Sequence, residues 1–214
     1  MRYLPILVDL AGRPCLVVGG GAVAARKAET LLDAGARVKV VAPRLSKEME
    51  RVVRRPGVQL ERRDYREGDV ADAVLAFAAT DEARVQERVA RDARAAGVWV
   101  NAVDEPERCT FVMPAILDRD PLVVAVGTAG ASPALARRVR DDIGSFLGPE
   151  YEAALAHLAL LRARYAPGPA RQAAFSRLVD GGLIEALRAR DAARVESLTR
   201  DACGGLAASA EEAR

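Results

Sequence analysis

The fold of this chain is decided by residues 15–42, which read CLVVGGGAVAARKAETLLDAGARVKVVA. The apolar run Cys15–Val18 stops at three glycines, and the apolar residues of 22–34 then recur at helical spacing. Gly35 is placed to end that helix in a left-handed conformation, and Val38–Ala42 is a second run rich in β-branched residues. The stretch therefore predicts a strand, a glycine turn, a helix and a second strand, which is the order of a βαβ unit.

The glycine turn has the pattern of a dinucleotide-binding loop, because 19–24 matches G-x-G-x-x-G/A between a predicted strand and a predicted helix. Gly19 would allow the tight turn, Gly21 would let the backbone approach a pyrophosphate, and Ala24 would let the helix pack close to the strand. The amides after Gly21 would lie at a helix N-terminus, where the dipole favours phosphate. The predicted cofactor-binding residues in this turn are Gly19, Gly21, Ala22 and Val23. The alternative is a small-residue turn that joins two packed elements and binds nothing.

Two further positions are predicted to border the cofactor. The second strand ends in Ala42-Pro43-Arg44, where dinucleotide sites usually carry an acidic residue for the ribose hydroxyls. Pro43 and Arg44 would border the adenosine. Arg44 would either favour a 2′-phosphate or be solvated, so these residues leave NAD and NADP both open. Thr80 ends a predicted strand and either lines the nucleotide site or caps a helix at 82–96.

Strands and helices alternate as far as residue 103, and the pattern then changes. Further strands are predicted at 4–10, 58–61, 74–79 and 98–103. Such alternation predicts a parallel sheet with helices on both faces. Beyond it, the apolar runs 111–117 and 122–127 predict an antiparallel hairpin or two crossing strands.

The last part of the chain is predicted to be helical. Ser132 and Pro133 open a helix as N-cap and first residue. Its predicted buried face is formed by Leu135, Val139 and Ile143. Residues 150–203 continue as helices, with a break at 166–169.

The composition is that of an ordinary globular protein and argues against several classes. The 214 residues carry 32 Lys and Arg against 30 Asp and Glu, so a net charge of +2 provides no global field for nucleic acid. Three scattered cysteines and one histidine argue against a disulfide framework, a zinc site and Ser-His-Asp catalysis. The apolar start is too short to span a bilayer and is a poor signal peptide, and the end from about Leu206 is expected to be frayed. We expect a cytoplasmic protein with no membrane or nucleic-acid partner and no resident metal.

Several longer motifs resemble one family. The matching segments are LPILVDLAGRPCLVVGGGAVAARKAETLLDAGA (4–36), VVAP (40–43), AFAATDE (76–82), VNAVDEPERCTFVMPAILDRDPLVVAVGTAGASPALARRVR (100–140) and LRARYAPGP (161–169). Together they resemble the precorrin-2 dehydrogenase and sirohydrochlorin ferrochelatase family, which includes the N-terminal module of sirohaem synthase. The chain ends where the longer synthase would begin its methyltransferase domain, so the resemblance implies a stand-alone form.

The resemblance implies NAD-dependent oxidation of precorrin-2 to sirohydrochlorin, with NAD used although the acidic ribose ligand is missing. It also indicates a second activity, the insertion of ferrous iron into sirohydrochlorin to give sirohaem. It also implies a homodimer in which 111–147 crosses between subunits. The expected fold is therefore α/β, with a Rossmann-type parallel sheet, a strand-exchanging dimerisation region and a C-terminal helical domain. The implied divisions are 1–112 for NAD binding, 113–147 for dimerisation and substrate, and 148–214 for the helices.

The resemblance also assigns the chemistry. Asp104 matches the family's catalytic aspartate and follows a predicted strand, at the carboxyl edge where open sheets bind ligands. It would take the proton released by oxidation. The alternative is that it begins a turn before Glu-Pro. The substrate carries eight carboxylates and needs cations and polar donors. The predicted substrate-binding residues are Arg108, Arg119, Thr128, Ser132 and Arg137.

Two other functions would use part of the same residues. An NAD(H)-sensing regulatory module would need the βαβ unit but neither Asp104 nor the hairpin motif. A ferrochelatase that has lost oxidation would not need the intact glycine turn. Cys109 is a single thiol without a partner and His157 lies on a predicted helix, so neither is predicted to bind metal.

Overall fold

The computed structural model describes residues 3–208. The chain divides into two compact units, Met1–Met113 and Pro114–Arg214. Among the helices of the described residues, none is long and apolar enough to cross a membrane.

The first unit is built on a five-stranded parallel sheet in the order β3-β2-β1-β4-β5. The strands are β1 (Pro14–Val18), β2 (Arg37–Val41), β3 (Val58–Glu61), β4 (Leu75–Ala78) and β5 (Trp99–Ala102). The helices are α1 (Ala22–Asp33), α2 (Lys47–Val52) and α3 (Ala83–Ala95). The predicted βαβ unit and parallel sheet are confirmed, and Gly35 adopts the left-handed conformation that ends α1, with φ of 77°. The chain order reverses between β1 and β4, which is where open α/β sheets bind ligands.

The sheet is covered on both faces. On one face, Val17 and Phe77 pack against Ala24 of α1 and Met49 of α2. On the other face, the alternate strand residues pack against Val89 of α3 and its neighbours. Each fully buried side chain of this size contributes about 1.5–3 kcal/mol through burial. The small residue at 24 lets α1 lie close to β1, as the motif predicts.

The predicted strand at 4–10 is wrong. Residues 4–10 have no strand conformation, and Leu4 and Leu7 are exposed. The sheet has β3 and β5 as its edge strands, and residues 4–10 pair with neither of them, so the apolar pattern alone does not produce a strand. Only Leu10 reaches the core. The short helix α2 was not predicted from the sequence; Ser46 caps it by accepting a hydrogen bond from the Met49 amide.

The second unit contains an antiparallel hairpin and a set of helices. The hairpin strands are β6 (Ala115–Arg119) and β7 (Leu122–Val126). The helices are α4 (Pro133–Phe146), α5 (Pro149–Arg164), α6 (Pro169–Leu178), α7 (Ile184–Arg188) and α8 (Ala192–Cys203). The predicted hairpin, the N-cap at Ser132 and the break before Pro169 are confirmed. Helix α4 packs against the hairpin, whereas Ala154, Leu161, Leu178 and Leu183 belong to a core shared by the helical segments from α5 to α8.

Two expectations in this unit are corrected. Leu135 is 55% exposed, and the buried residue of α4 is Ala136, while Val139 and Ile143 are half-buried. The expected fraying from about Leu206 also fails for the last described residues. Ala208 pairs with Tyr165, and the Ala207 carbonyl accepts a hydrogen bond from Ala166. Residues 209–214 lie outside the described part of the chain.

Candidate active site

The glycine turn is held between two neighbouring loops. A side chain at Gly19 would overlap the carbonyl oxygen of Ala79, and one at Gly20 would overlap that of Arg44. Gly19 has φ of 132°, a conformation that favours glycine. The turn therefore lies directly against the chain that follows β4 and the chain that follows β2.

Gly21 differs from the two glycines before it. A Cβ on Gly21 would meet nothing within 4 Å, so the backbone faces open space. Gly21 is the N-cap of α1, and no side chain of the described residues caps that end. The amides of Ala22 and Val23 therefore point into the same space as the positive end of the helix dipole. We call this open space, with the amides of Ala22 and Val23, the cradle; uncapped helix N-termini of this kind can bind phosphate.

The structure brings Thr80 to the glycine turn. A Cβ on Gly19 would lie 3.3 Å from the Thr80 amide nitrogen. The Thr80 hydroxyl accepts a hydrogen bond from the Glu82 amide at 3.3 Å, and its carbonyl accepts one from Gln86 at 2.7 Å. The N-cap of α3 is Glu82, so Thr80 forms the turn before the helix and is not its cap.

Asp104 lies at the same edge of the sheet in an unusual conformation. The Val103 amide still bonds to the Ala78 carbonyl of β4 at 3.0 Å, which places Asp104 just beyond the paired strands. Asp104 is exposed and has φ of 61°. Left-handed backbone is uncommon for a residue other than glycine, and such residues cluster at functional sites. Asp104 also lies in a turn, as the alternative predicts, because the Glu105 amide donates a hydrogen bond to the Ala102 carbonyl.

Lys27 is the functional candidate that the sequence analysis did not single out. It lies on α1 and is half-buried, with its ammonium 5.3 Å from the centre of the Phe77 ring. Burial and the neighbouring Arg26 lower the pKa of Lys27, while attraction to Asp104 and Cys109 raises it in part. The available signal was its position, three residues after Ala24 on the helix face that packs against the sheet.

Cys109 fixes the turn that carries Asp104. Its sulfur accepts a hydrogen bond from the Ala102 amide at 3.2 Å and lies 3.4 Å from the Glu105 carbonyl. Burial raises the pKa of the Cys109 thiol, so it stays protonated. The Asn101 amide, one residue before Ala102, donates to the Phe111 carbonyl at 3.1 Å. Both side chains therefore act on the backbone beside Asp104.

The other predicted cofactor residues lie where the sequence places them. Pro43 and Arg44 follow β2 and are exposed. The Arg44 carbonyl abuts Gly20, so its backbone borders the cradle.

Arg108, a predicted substrate-binding residue, follows β5 and is half-buried. Its Nη1 atom is buried without a hydrogen-bond partner in the described chain and lies 3.7 Å from a Glu105 oxygen.

The remaining predicted substrate residues belong to the second unit. Arg119 donates to the Leu147 carbonyl at 2.7 Å and to the Gly144 carbonyl at 2.9 Å, so its guanidinium already closes the end of α4. Thr128 and Ser132 are bonded to each other around the turn before α4. Arg137 is exposed on α4. Of these residues, Arg137 has the side chain most available to a ligand.

No cluster that suggests a resident metal is found in residues 3–208, because no three His, Cys, Asp or Glu side chains are grouped there. His157 bonds to the Thr199 hydroxyl at 2.9 Å, and burial lowers its pKa. It lines a cleft of about 730 Å³ between α5, α7 and α8.

Two family models match the chain. The model described as putative NAD(P)-binding covers residues 6–115, and the model described as sirohaem biosynthesis protein central covers residues 119–145. The first of these covers just over half of the 214 residues.

Curated relatives are longer than this chain. A siroheme synthase of Pseudomonas aeruginosa (strain LESB58) is 47% identical over 151 residues, which is 71% of this chain and 32% of the relative. A siroheme synthase of Stutzerimonas stutzeri (strain A1501) is 39% identical over 212 residues, which is 97% of this chain and 45% of the relative. The chain thus spans less than half the length of these relatives.

A solved structure has the same fold. The structure described as SirC, precorrin-2 dehydrogenase, superposes with a TM-score of 0.73 at 23% identity, covering 94% of this chain and 98% of that one. The chain belongs to the putative NAD(P)-binding family, and its sequence is similar to siroheme synthases.

Proposed function

We propose that the chain oxidises precorrin-2 to sirohydrochlorin with NAD as the hydride acceptor. The observation that carries the proposal is the position of Asp104, an exposed carboxylate in left-handed backbone at the edge that also holds the glycine turn. Support comes from the two family models and from relatives named for sirohaem synthesis. A sensor of NAD(H) would not need a carboxylate held in this conformation.

The residues of the cradle fit a dinucleotide. The open space in front of Gly21 accepts a pyrophosphate, and the uncapped amides of Ala22 and Val23 would bond its oxygens. Pro43 and Arg44 border the adenosine side, and Thr80 borders the other half of the cofactor. When bound, NAD supplies the nicotinamide ring that accepts a hydride.

Asp104 accounts for the proton. Oxidation removes one hydride and one proton from the macrocycle, so the reaction yields sirohydrochlorin, NADH and one proton. The Asp104 carboxylate takes that proton and then passes it to water, which its exposure allows. Arg108 and Arg137 are proposed to bind substrate carboxylates, whereas Thr128 and Ser132 shape the turn before α4.

Insertion of ferrous iron stays a prediction. With no grouped ligands in residues 3–208, Asp104 would receive the ion alone and the macrocycle would supply nitrogen ligands. The test is to add ferrous iron to sirohydrochlorin and protein without oxygen. Faster sirohaem formation with the native chain than with Asp104→Asn supports insertion, and equal rates contradict it.

The proposed dehydrogenase is tested by turnover with each cofactor. Purified protein is supplied with precorrin-2 and either NAD or NADP without oxygen, and NADH or NADPH is followed by absorbance. We expect turnover with NAD to exceed that with NADP. Binding of NADH without any turnover would favour the sensor function instead.

A further inference from the structure

We infer that the Lys27 ammonium binds a carboxylate of the tetrapyrrole beside Asp104. Lys27 has neither a hydrogen bond nor an ion pair within the described residues. Its ammonium contacts the ring of Phe77. A half-buried cation loses hydration, and that loss needs a compensating anion. Lys39 provides the contrast, because its ammonium forms an ion pair with Asp69 at 2.8 Å.

The direction of the side chain points to the site. The N-terminus of α1 lies at the carboxyl edge of the sheet, next to the cradle at Gly21. Helical side chains lean towards the N-terminus, so Lys27 leans towards that edge. Its contact with Phe77 places it over β4, the strand next to β5 and Asp104.

The position favours substrate over pyrophosphate. The pyrophosphate cradle follows β1, whereas Lys27 is over β4 and is attracted to Asp104 after β5. Adjacent strands are about 4.8 Å apart, so the ammonium is displaced from the cradle by about one strand towards Asp104. This is the side on which the macrocycle must meet Asp104.

The substrate supplies the missing anion. This step rests on the proposed function, because the eight carboxylates are those of precorrin-2. An ammonium pairs strongly with a carboxylate in a partly dehydrated site. Lys27 would also lie between a substrate carboxylate and Asp104, and so reduce the repulsion that Asp104 would otherwise exert on the polyanion.

The experiment uses binding, so that it does not depend on turnover. The full chain is titrated with uroporphyrin III, an octacarboxylate macrocycle, and separately with NADH, both followed by fluorescence. Lys27→Met keeps an unbranched side chain of similar length and removes the charge, and Lys27→Arg restores the charge. Arg26→Met is the matched control, since it removes an exposed cation from the same helix.

We expect Lys27→Met to weaken uroporphyrin binding by about tenfold or more, the size of a lost charge-assisted hydrogen bond. Lys27→Arg should recover most of the affinity, and Arg26→Met should match the native chain. NADH binding should be unchanged in all three variants. Unchanged uroporphyrin binding, an equal loss in Arg26→Met, or no binding by the native chain would overturn the inference. A loss of NADH binding equal to the loss of uroporphyrin binding would assign Lys27 to the cofactor and also overturn it.

This result is separable from the proposed function. If the native chain binds uroporphyrin through Lys27 but forms no NADH from precorrin-2, the dehydrogenase proposal fails and the anion site stands. If the native chain turns over, Lys27→Met should raise the KM for precorrin-2 more than it lowers kcat. A loss confined to kcat would contradict a binding role.

Discussion

At the scale of single residues, the site depends on backbone positions that only certain residues tolerate. Asp104 adopts φ of 61° because Cys109 and the turn from Ala102 to Glu105 hold it there. The glycine turn needs its first two glycines for space and its third for access. The glycine turn and Asp104 are therefore both candidate site residues and positions with an unusual backbone requirement, and both lie at one edge of the sheet.

Replacing Asp104 with Asn tests its role as the base. The amide has the same shape and also tolerates left-handed backbone, so folding and NADH binding should be retained. Turnover should fall by about 100-fold or more, the usual contribution of a general base. Equal turnover in Asp104→Asn and the native chain would remove Asp104 from the mechanism.

A pair of glycine substitutions separates folding from cofactor binding. Gly20→Ala should destabilise the chain by about 2 kcal/mol or more, because its methyl group overlaps the Arg44 carbonyl. Gly21→Ala should leave the free energy of unfolding within about 0.5 kcal/mol, since Gly21 has φ of −80° and open space before it. It should nevertheless weaken NADH binding. Normal NADH binding by Gly21→Ala would contradict the cradle.

At the scale of elements, the sequence predicted those helices, strands and caps that are determined by residues close together in the chain. The βαβ unit, the hairpin and the cap at Ser132 each follow from residues close in sequence. The strand predicted at 4–10 failed because an apolar pattern does not specify a partner strand, and this segment pairs with neither edge strand of the sheet. The sequence did not indicate Lys27 as a site residue. Only the strand order shows that its helix face meets Phe77 on β4, next to the strand that precedes Asp104.

An ion-pair cluster ties β2 to the chain between β3 and β4 and makes the fold sensitive to acid. Asp69 is almost fully buried and bonds to Arg63 at 2.7 and 2.8 Å and to Lys39 of β2 at 2.8 Å. The bonds to Arg63 are the main cause that holds the pKa of Asp69 well below its usual range. A lowered pKa in the folded state stabilises the fold above the unfolded value of about 3.9.

That stabilisation should be lost as pH falls from about 4 through the lowered pKa of Asp69. Urea unfolding at several pH values measures it. Asp69→Asn should be less stable by about 2 kcal/mol or more at neutral pH, because Lys39 loses its ion-pair partner and Arg63 keeps only the 3.5 Å pair with Glu61. Its stability should also change less between pH 5 and pH 3 than that of the native chain. The same pH dependence in both proteins would contradict this account.

At the scale of the whole molecule, the second unit exposes apolar side chains that a single chain does not cover. On the hairpin and α4 these are Ile116, Val123, Leu135 and Phe146. Exposed apolar patches on soluble proteins commonly mark interfaces. They support the homodimer that the family resemblance implies, and Leu135, which was predicted to be buried, belongs to this exposed set.

Sedimentation velocity tests the dimer. We expect the native chain to sediment as a dimer and Leu135→Asp to shift towards the monomer. Leu160→Asp is the control, because Leu160 is 71% exposed on α5, away from the hairpin and α4 in sequence. A native chain that sediments as a monomer, or equal effects of the two substitutions, would contradict an interface at α4.

The central claim is that the glycine turn and Asp104 form one oxidising site, and its most direct measurement is stoichiometry. Protein, precorrin-2 and excess NAD are combined without oxygen, and NADH and sirohydrochlorin are quantified together by absorbance. We expect one NADH for each sirohydrochlorin with the native chain, and formation of both products about 100-fold slower or more with Asp104→Asn. Sirohydrochlorin without NADH, or NADH binding without either product, would contradict it.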